Sequence, residues 1–319
     1  MTDGIHRLAI PTPFAVGRVN LYLIEDEPLT LVDAGPNSGR SLDELEGQLR
    51  GLGHRLEDIG LILVSHQHID HIGLVSIVAR RSGADVAAIE PLVPFMRDYA
   101  EVAAADDEFA ADLMLRHGIS ADVVQALRSV TLAFRAWGAR ADVTRVLRDG
   151  DVVELRDRRL EVHHRPGHSP TDTVFYDAER RVLLGADHLL AHISSNPLIT
   201  RPTDGGRRPQ ALVTYLESLA KTRAMDIDVV LPGHGEEIRD HREVIDLRFK
   251  LHRRRADRIH ELIAERPRTA HDVAQALWAN VAVTQAFLTL SEVLGHTDIL
   301  LNEGRVREVE ADGVVRFEA

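Results

Sequence analysis

An apolar run that ends abruptly in imidazole and carboxylate governs what this chain can become. Ile59 to Ser65 reads IGLILVS, followed at once by His66, Gln67, His68, Ile69, Asp70 and His71. A short unbroken apolar run is the mark of a strand covered on both faces. Strand alternation and the turn after it can aim three histidines and an aspartate at one point from a rigid base. Imidazole and carboxylate are borderline-to-hard donors, suited to zinc, iron or manganese. A solvated turn would account for one or two histidines there; this spacing reads as a metal site.

Composition agrees and excludes. The 319-residue chain holds 17 histidines and no cysteine. Without thiols there are no disulfides, no Cys-ligated zinc fingers, no thiolate-held iron–sulfur clusters and no cysteine nucleophile. The formal net charge of −12 argues against a dominant nucleic-acid or membrane-surface footprint. The first 17 residues lack an apolar stretch long enough for a signal peptide, and LILV at 61–64 falls far short of a membrane span. The expectation is a soluble cytoplasmic protein with no membrane partner.

Along the chain, 19–34 reads as two strands around the turn EDEP, and 41–52 as an amphipathic helix. A helix follows from Gly73 to Arg81, then a strand over 85–90. Residues 91–148 are rich in Ala, Leu, Asp and Arg and read as a helical insertion of two or three helices. Strands resume over 151–155, 160–166, 173–177, 181–187 and 227–234, with a helix over 205–224 between the last two. The body is thus strand-rich with interleaved helices. After it come a charged helix over 240–265, a helix over 266–278 with Thr269 as N-cap, and another over 283–303. An Asp312-Gly313 hairpin closes the chain. Helix, helix, helix, hairpin is the outline of a winged helix. The expected division is 1–240 for a catalytic domain and 241–319 for the winged-helix-like one.

Three more positions carry donors at the carboxyl ends of predicted strands, where ligands gather in α/β folds. They are His168 in Pro166-Gly-His-Ser169, Asp187 in Gly185-Ala-Asp187, and His234 in Pro232-Gly-His-Gly235. Glycine beside each allows close backbone approach. Asp33, next to Gly35 at another strand end, reads mainly as a structural acid that orients ligands. His188 follows Asp187 directly, so its side chain should point away. His163 and His164 read as surface or packing groups, and His117, His252 and His296 as ordinary.

SHQHIDH, PGHSP, GAD and PGHG in this order resemble the metallo-β-lactamase superfamily over about residues 5–240. The resemblance implies an α+β fold, an αββα sandwich with the metal site at one edge of its two sheets. It implies that His66, His68 and His168 hold a first metal, that Asp70, His71 and His234 hold a second, and that Asp187 bridges them. Two zinc ions are expected, with iron or manganese as alternatives. Aspartate at 187 and the absence of cysteine separate the chain from the true lactamases with a cysteine ligand. Histidine at 68 separates it from the oxygen-reducing diiron branch. The C-terminal outline resembles the branch of β-lactamase-like protein 2 and its bacterial relatives.

A site of that kind would generate hydroxide at two metals for attack on an electrophilic carbonyl or phosphorus. Asp70 is expected to orient the hydroxide or take its proton. Hydrolysis of a small-molecule thioester, ester or lactone is the economical reading. The alternatives are an endoribonuclease or phosphodiesterase using the winged helix, and a mononuclear iron sulfur dioxygenase. Arg253, Arg254, Arg255 and Arg258 give the C-terminal region a basic helix end. Its overall charge is about neutral and its wing, REVEADG, is acidic, so nucleic acid is the disfavoured partner. Packing or homodimerisation is the preferred use of that region. Ser194 and Asn196, just after Asp187, and Tyr99 in the insertion are expected to supply substrate contacts. The aromatic and methionine residues of the insertion are expected to fill its own core.

Overall fold

Two sheets meet face to face because their strands bury both sides. The computed structural model describes residues 4–202, 205–279 and 281–319. The first sheet runs in the order β1 (Ile5–Ile10), β2 (Val19–Ile24), β3 (Thr30–Val32), β4 (Leu61–Val64), β5 (Asp85–Ile89) and β6 (Arg145–Leu147). β1 to β3 pair antiparallel and β3 to β6 parallel. The second sheet is ordered β11 (Val229–Pro232), β10 (Val182–Ala186), β9 (Thr173–Asp177), β8 (Arg159–His164) and β7 (Val152–Glu154), with only β10 and β11 parallel.

Alternation sorts the side chains into layers. From the first sheet Tyr22, Ile24, Leu61 and Leu63 turn inward to meet Phe175, Val182, Leu184 and Leu231 of the second. Leu21, Leu23, Ile62 and Val64 turn outward, onto Leu45 and Leu49 of α1 (Gly39–Gly51) and onto Val75 and Val78. Those two valines lie on α3 (Val75–Ser82), which follows the single-turn α2 (Ile69–Ile72). On the far side Val174, Leu183 and Val230 pack against Leu212, Tyr215 and Leu219 of α7 (Ala211–Arg223). This is the expected αββα sandwich, and the unbroken apolar runs in the sequence are its doubly covered strands.

The insertion between β5 and β6 holds α4 (Val93–Arg97), α5 (Tyr99–Arg116) and α6 (Ala121–Phe134). Beyond the sandwich come α8 (His241–Glu265), α9 (Ala270–Trp278), α10 (Ala286–Asn302) and the hairpin β12 (Arg307–Ala311) and β13 (Val314–Glu318). Asp312 and Gly313 take φ of 54° and 72°, the left-handed pair a tight hairpin turn requires. Thr269 and Asp272 form the reciprocal cap that starts α9.

Two expectations need correction, and one strand is additional to them. The insertion ends before 148, because Arg145–Leu147 return to the sheet as strand β6. The N-terminal IHRLAI, not read as structure, forms β1. The insertion also lacks a core of its own. Ala111, Met114, Ile119 and Val124 share one cluster with Ile259, Ile263, Leu290, Val293 and Phe317 of the C-terminal elements. Met96 and Tyr99 join the core of the first sheet instead.

Candidate metal centre

All the predicted donors sit on connections that leave the strands at one edge of the sandwich. β4 delivers Ser65 to His71; Asp70 and His71 sit on α2. The turns after β8, β10 and β11 deliver His168, Asp187 and His234. The Thr173 N–H donates to the Ser65 carbonyl at 2.9 Å, and the Asn20 N–H to the Gly233 carbonyl at 2.7 Å, so the two sheets are tied together at this edge.

The donors fall into two groups, His66, His68, His168 and Asp187 in one, Asp70, His71 and His234 in the other. Within each, one ligating atom per residue lies within 4.8 Å of the others. His66 Nε2 is 3.0 Å from His68 Nδ1, which is 2.9 Å from His168 Nε2. Asp187 joins the groups: its Oδ2 is 3.5 Å from both His168 Nε2 and His234 Nε2, and its Oδ1 is 3.6 Å from His71 Nε2. His234 Nε2 is also 3.4 Å from Asp70 Oδ2.

The outer nitrogens decide which lone pairs face inward. His168 Nδ1–H donates to the Asn196 carbonyl at 3.2 Å, and His234 Nδ1–H to the Arg18 carbonyl at 2.8 Å. His71 Nδ1–H donates to Asp33 Oδ2 at 2.7 Å. Ser65 donates its hydroxyl to Asp33 at 2.7 Å, which leaves Ser65 Oγ to accept from His66 Nδ1–H at 2.9 Å. Four Nε2 atoms are therefore bare. His68 Nδ1 stands between two of them and has at most one proton to give, so hydrogen bonding alone cannot satisfy the trio. His71 Nε2 and Asp187 Oδ1 are buried with no hydrogen-bond partner among the described residues. Buried polar atoms are rarely left so; a cation between them satisfies all of them, and the residues fit divalent metals.

Electrostatics points the same way. Burial, with the neighbouring imidazoles, drives the His66 pKa well below its ordinary value, and burial takes His68 down to about 3. Both rings are thus neutral donors. Burial opposes ionisation of Asp187, yet His71, His234 and His168 hold its carboxyl well below the usual carboxylate range. Two glycines make room. A Cβ on Gly233 would stand 2.2 Å from Asp187 Oδ1, and one on Gly167, before His168, 2.4 Å from the Tyr215 Cα.

Asp33 takes the expected supporting place. His188 turns away, its Nε2 2.8 Å from Thr222 Oγ1. The three expected substrate contacts all have partners inside the protein. Tyr99 is a core residue, its hydroxyl donating to the Arg135 carbonyl at 3.1 Å. The Asn196 amide donates to the Leu288 carbonyl at 3.1 Å and Ser194 Oγ lies 3.2 Å from His252 Nε2, so both side chains engage the C-terminal helices. Sequence reading passed over Ser65, whose only signal is its place between strand and first histidine, and Asp172. Asp172 accepts from the Ser169 N–H and hydroxyl, both at 2.8 Å, and holds the His168 turn. Burial raises its pKa to about 6. A cavity of about 710 Å³ is lined by Leu216, Phe249, Lys250, Arg254 and Ile299, away from the donors.

Residues 15–234 match the model of the metallo-β-lactamase superfamily, and 256–319 that of the metallo-β-lactamase-like C-terminal domain. The probable metallo-hydrolase YqjP of Bacillus subtilis is 31% identical over 316 residues, 99% of this chain and 98% of that one. Acyl-coenzyme A thioesterase MBLAC2 of Gallus gallus is 29% identical over 185 residues, 53% of this chain and 57% of that one. The crystal structure of the metallo-β-lactamase family protein TTHA1429 from Thermus thermophilus superposes with a TM-score of 0.82. Its identity is 27%, and the match covers 99% of this chain and 98% of that one.

Proposed function

The chain belongs to the metallo-β-lactamase superfamily as a metallo-hydrolase, and from that premise we propose that it hydrolyses small-molecule acyl thioesters at a pair of zinc ions. The observation that carries the reading is the Asp187 carboxylate, within 3.6 Å of His71 and 3.5 Å of both His168 and His234, with Oδ1 unpartnered among the described residues. A carboxylate so placed could be shared between two cations. His66, His68 and His168 would hold one, Asp70, His71 and His234 the other. Divalent metals there supply Lewis acidity, which brings the pKa of water toward about 7 and offsets charge developing on an acyl oxygen.

Asp70 would orient the attacking water and take its proton. As water oxygen bonds to the acyl carbon, the carbon–sulfur bond breaks and sulfur leaves as thiolate. A thiol pKa near about 8.5 makes that departure feasible without a dedicated acid. The thioesterase relative supports this substrate class; esters and lactones share its electrophile. Phosphodiester cleavage draws little support from the C-terminal helices: of the four arginines at the basic helix end, Arg254 donates to the Lys250 carbonyl and the other three pair with acids. Arg253 pairs with Glu303 at 2.7 Å, Arg258 with Glu261 at 2.7 Å, and Arg255 with Glu292.

A panel of acyl thioesters, esters, lactones and labelled RNA tests the assignment. Turnover of a thioester by zinc-loaded protein, lost at least about 100-fold in Asp70→Ala, is expected on the scale of a lost acid–base group. RNA cleavage that Asp70→Ala abolishes, with thioesters untouched, would overturn it.

A further inference from the structure

His168 is gripped by the segment 194–199 from both sides. Its ring N–H donates to the Asn196 carbonyl at 3.2 Å, and its own carbonyl accepts from the Leu198 N–H at 3.3 Å. The Ser195 hydroxyl ties the segment to the Asp187 carbonyl, and its other anchors come from beyond residue 240. The Asn196 amide reaches the Leu288 carbonyl at 3.1 Å, and the Ile199 N–H reaches Ser291 Oγ at 3.4 Å. The stretch leading into the segment is anchored too: the Arg248 guanidinium donates to the carbonyls of Leu190, Ala191 and Ile193 at 3.0, 3.2 and 2.9 Å.

The last of these anchors is a relay with a fixed direction. His296 Nδ1–H donates to the Glu292 carbonyl at 2.6 Å, so its Nε2 accepts from His252 Nδ1–H at 3.2 Å. His252 Nε2 is then left to accept from the Ser194 hydroxyl at 3.2 Å. Both rings are buried, and burial lowers each pKa to about 4, so both are neutral near pH 7. His252, Glu292 and His296 also lie within 4.8 Å of one another. Every ring nitrogen is nevertheless engaged and the Glu292 carboxylate is paired with Arg255, which makes a relay of them and not a third metal site.

We propose that the C-terminal helices position His168 through segment 194–199, with Asn196, His252 and His296 as positioning residues for one half of the metal centre. The proposal rests on the metal-site reading above. Its signature is asymmetry. His71 and His234 take their orientation from Asp33 and the Arg18 carbonyl, both in the first sheet's connections, so loosening the relay leaves them in place.

The test titrates chelator-stripped full-length protein with Co²⁺ alone, followed by visible absorption and calorimetry. Wild type is expected to take up two equivalents. Asn196→Ala and His252→Ala weaken one equivalent about tenfold, the scale of a lost ligand-orienting partner, and spare the other. His252→Gln, whose amide can still accept from Ser194 and donate to His296, returns the weakened step toward wild type. Leu262→Ala, a cavity in α8, lowers thermal stability and moves neither step. The proposal is overturned if Asn196→Ala and His252→Ala bind as wild type does, if both equivalents weaken together, or if Leu262→Ala weakens the same one. Wild type binding no Co²⁺ would remove the metal-site reading itself, whereas inactivity toward thioesters with the asymmetry intact removes only the substrate assignment.

Discussion

Asp33 connects the two halves of the centre through one carboxylate. It accepts from the Ser65 N–H at 2.8 Å, from the Ser65 hydroxyl at 2.7 Å and from His71 Nδ1–H at 2.7 Å, and by way of Ser65 it also orients His66. The residue adopts φ of 60°, a left-handed conformation that aspartate tolerates better than most side chains. Asn in its place keeps the shape and turns one acceptor oxygen into a donor that opposes a donor. Asp33→Asn is expected to lower metal affinity by about 10–100-fold, measured by competition against a chromogenic chelator. Wild-type affinity in the variant would show that the carboxylate does not orient the donors.

Strand ends do the work at the next scale up. β10 and β11 run parallel, so the turns after both open at the same edge and bring Asp187 beside Gly233. A Cβ at 233 would also stand 3.0 Å from His71 Cε1. Gly233→Ala is therefore expected to displace the Asp187 carboxylate. Bound metal should fall from two to one or fewer per chain, read by elemental analysis, with the fold retained by far-UV circular dichroism. Most strand ends were legible in the sequence because a doubly buried strand announces itself as an unbroken apolar run with a donor just after it, whereas His168 trails the half-buried β8 by four residues and shows only through its Pro-Gly-His turn. β1 was not, since its buried positions are unevenly spaced and it hides in a short polar N-terminus. β6 is three residues long and only partly buried, too short for any period to show. The partners of Ser194 and Asn196 were illegible for another reason. His252 and Leu288 lie 58 and 92 residues away, and no local pattern encodes such a pairing.

The molecule as a whole behaves as a sandwich whose insertion and C-terminal helices share one core. No single helix among the described residues is long and apolar enough to cross a membrane. Several histidines lie buried outside the centre, and they set a pH dependence. Burial lowers His117 and His188 to about 3 and His252 and His296 to about 4. Each is neutral when folded, while its unfolded pKa is about 6.5. The unfolded chain then binds more protons between those values, so their contribution is full above about pH 6.5 and is lost as pH falls toward about 4 for His252 and His296 and toward about 3 for His117 and His188. In metal-free protein His71 and His234 act in the opposite sense. Burial opposes their protonation, yet Asp33 and Asp187 raise the first and Asp187 and Asp70 the second. His117 isolates one contribution. Its ring stacks on Phe317 at 6.0 Å and its Nδ1 has no hydrogen-bond partner among the described residues. His117→Phe is expected to reduce the stability lost between pH 7 and 5 by about 2 kcal/mol, from urea unfolding at the two pH values. An unchanged difference would mean that this histidine is not held neutral.

The proposed hydrolysis requires two metals held by seven residues from four strand ends. Its most direct test is thioester hydrolysis by chelator-stripped protein as zinc is returned in measured equivalents. No turnover is expected without metal, followed by a rise that levels off at two equivalents per chain. Turnover by the stripped protein, or full activity at a single equivalent, would contradict it.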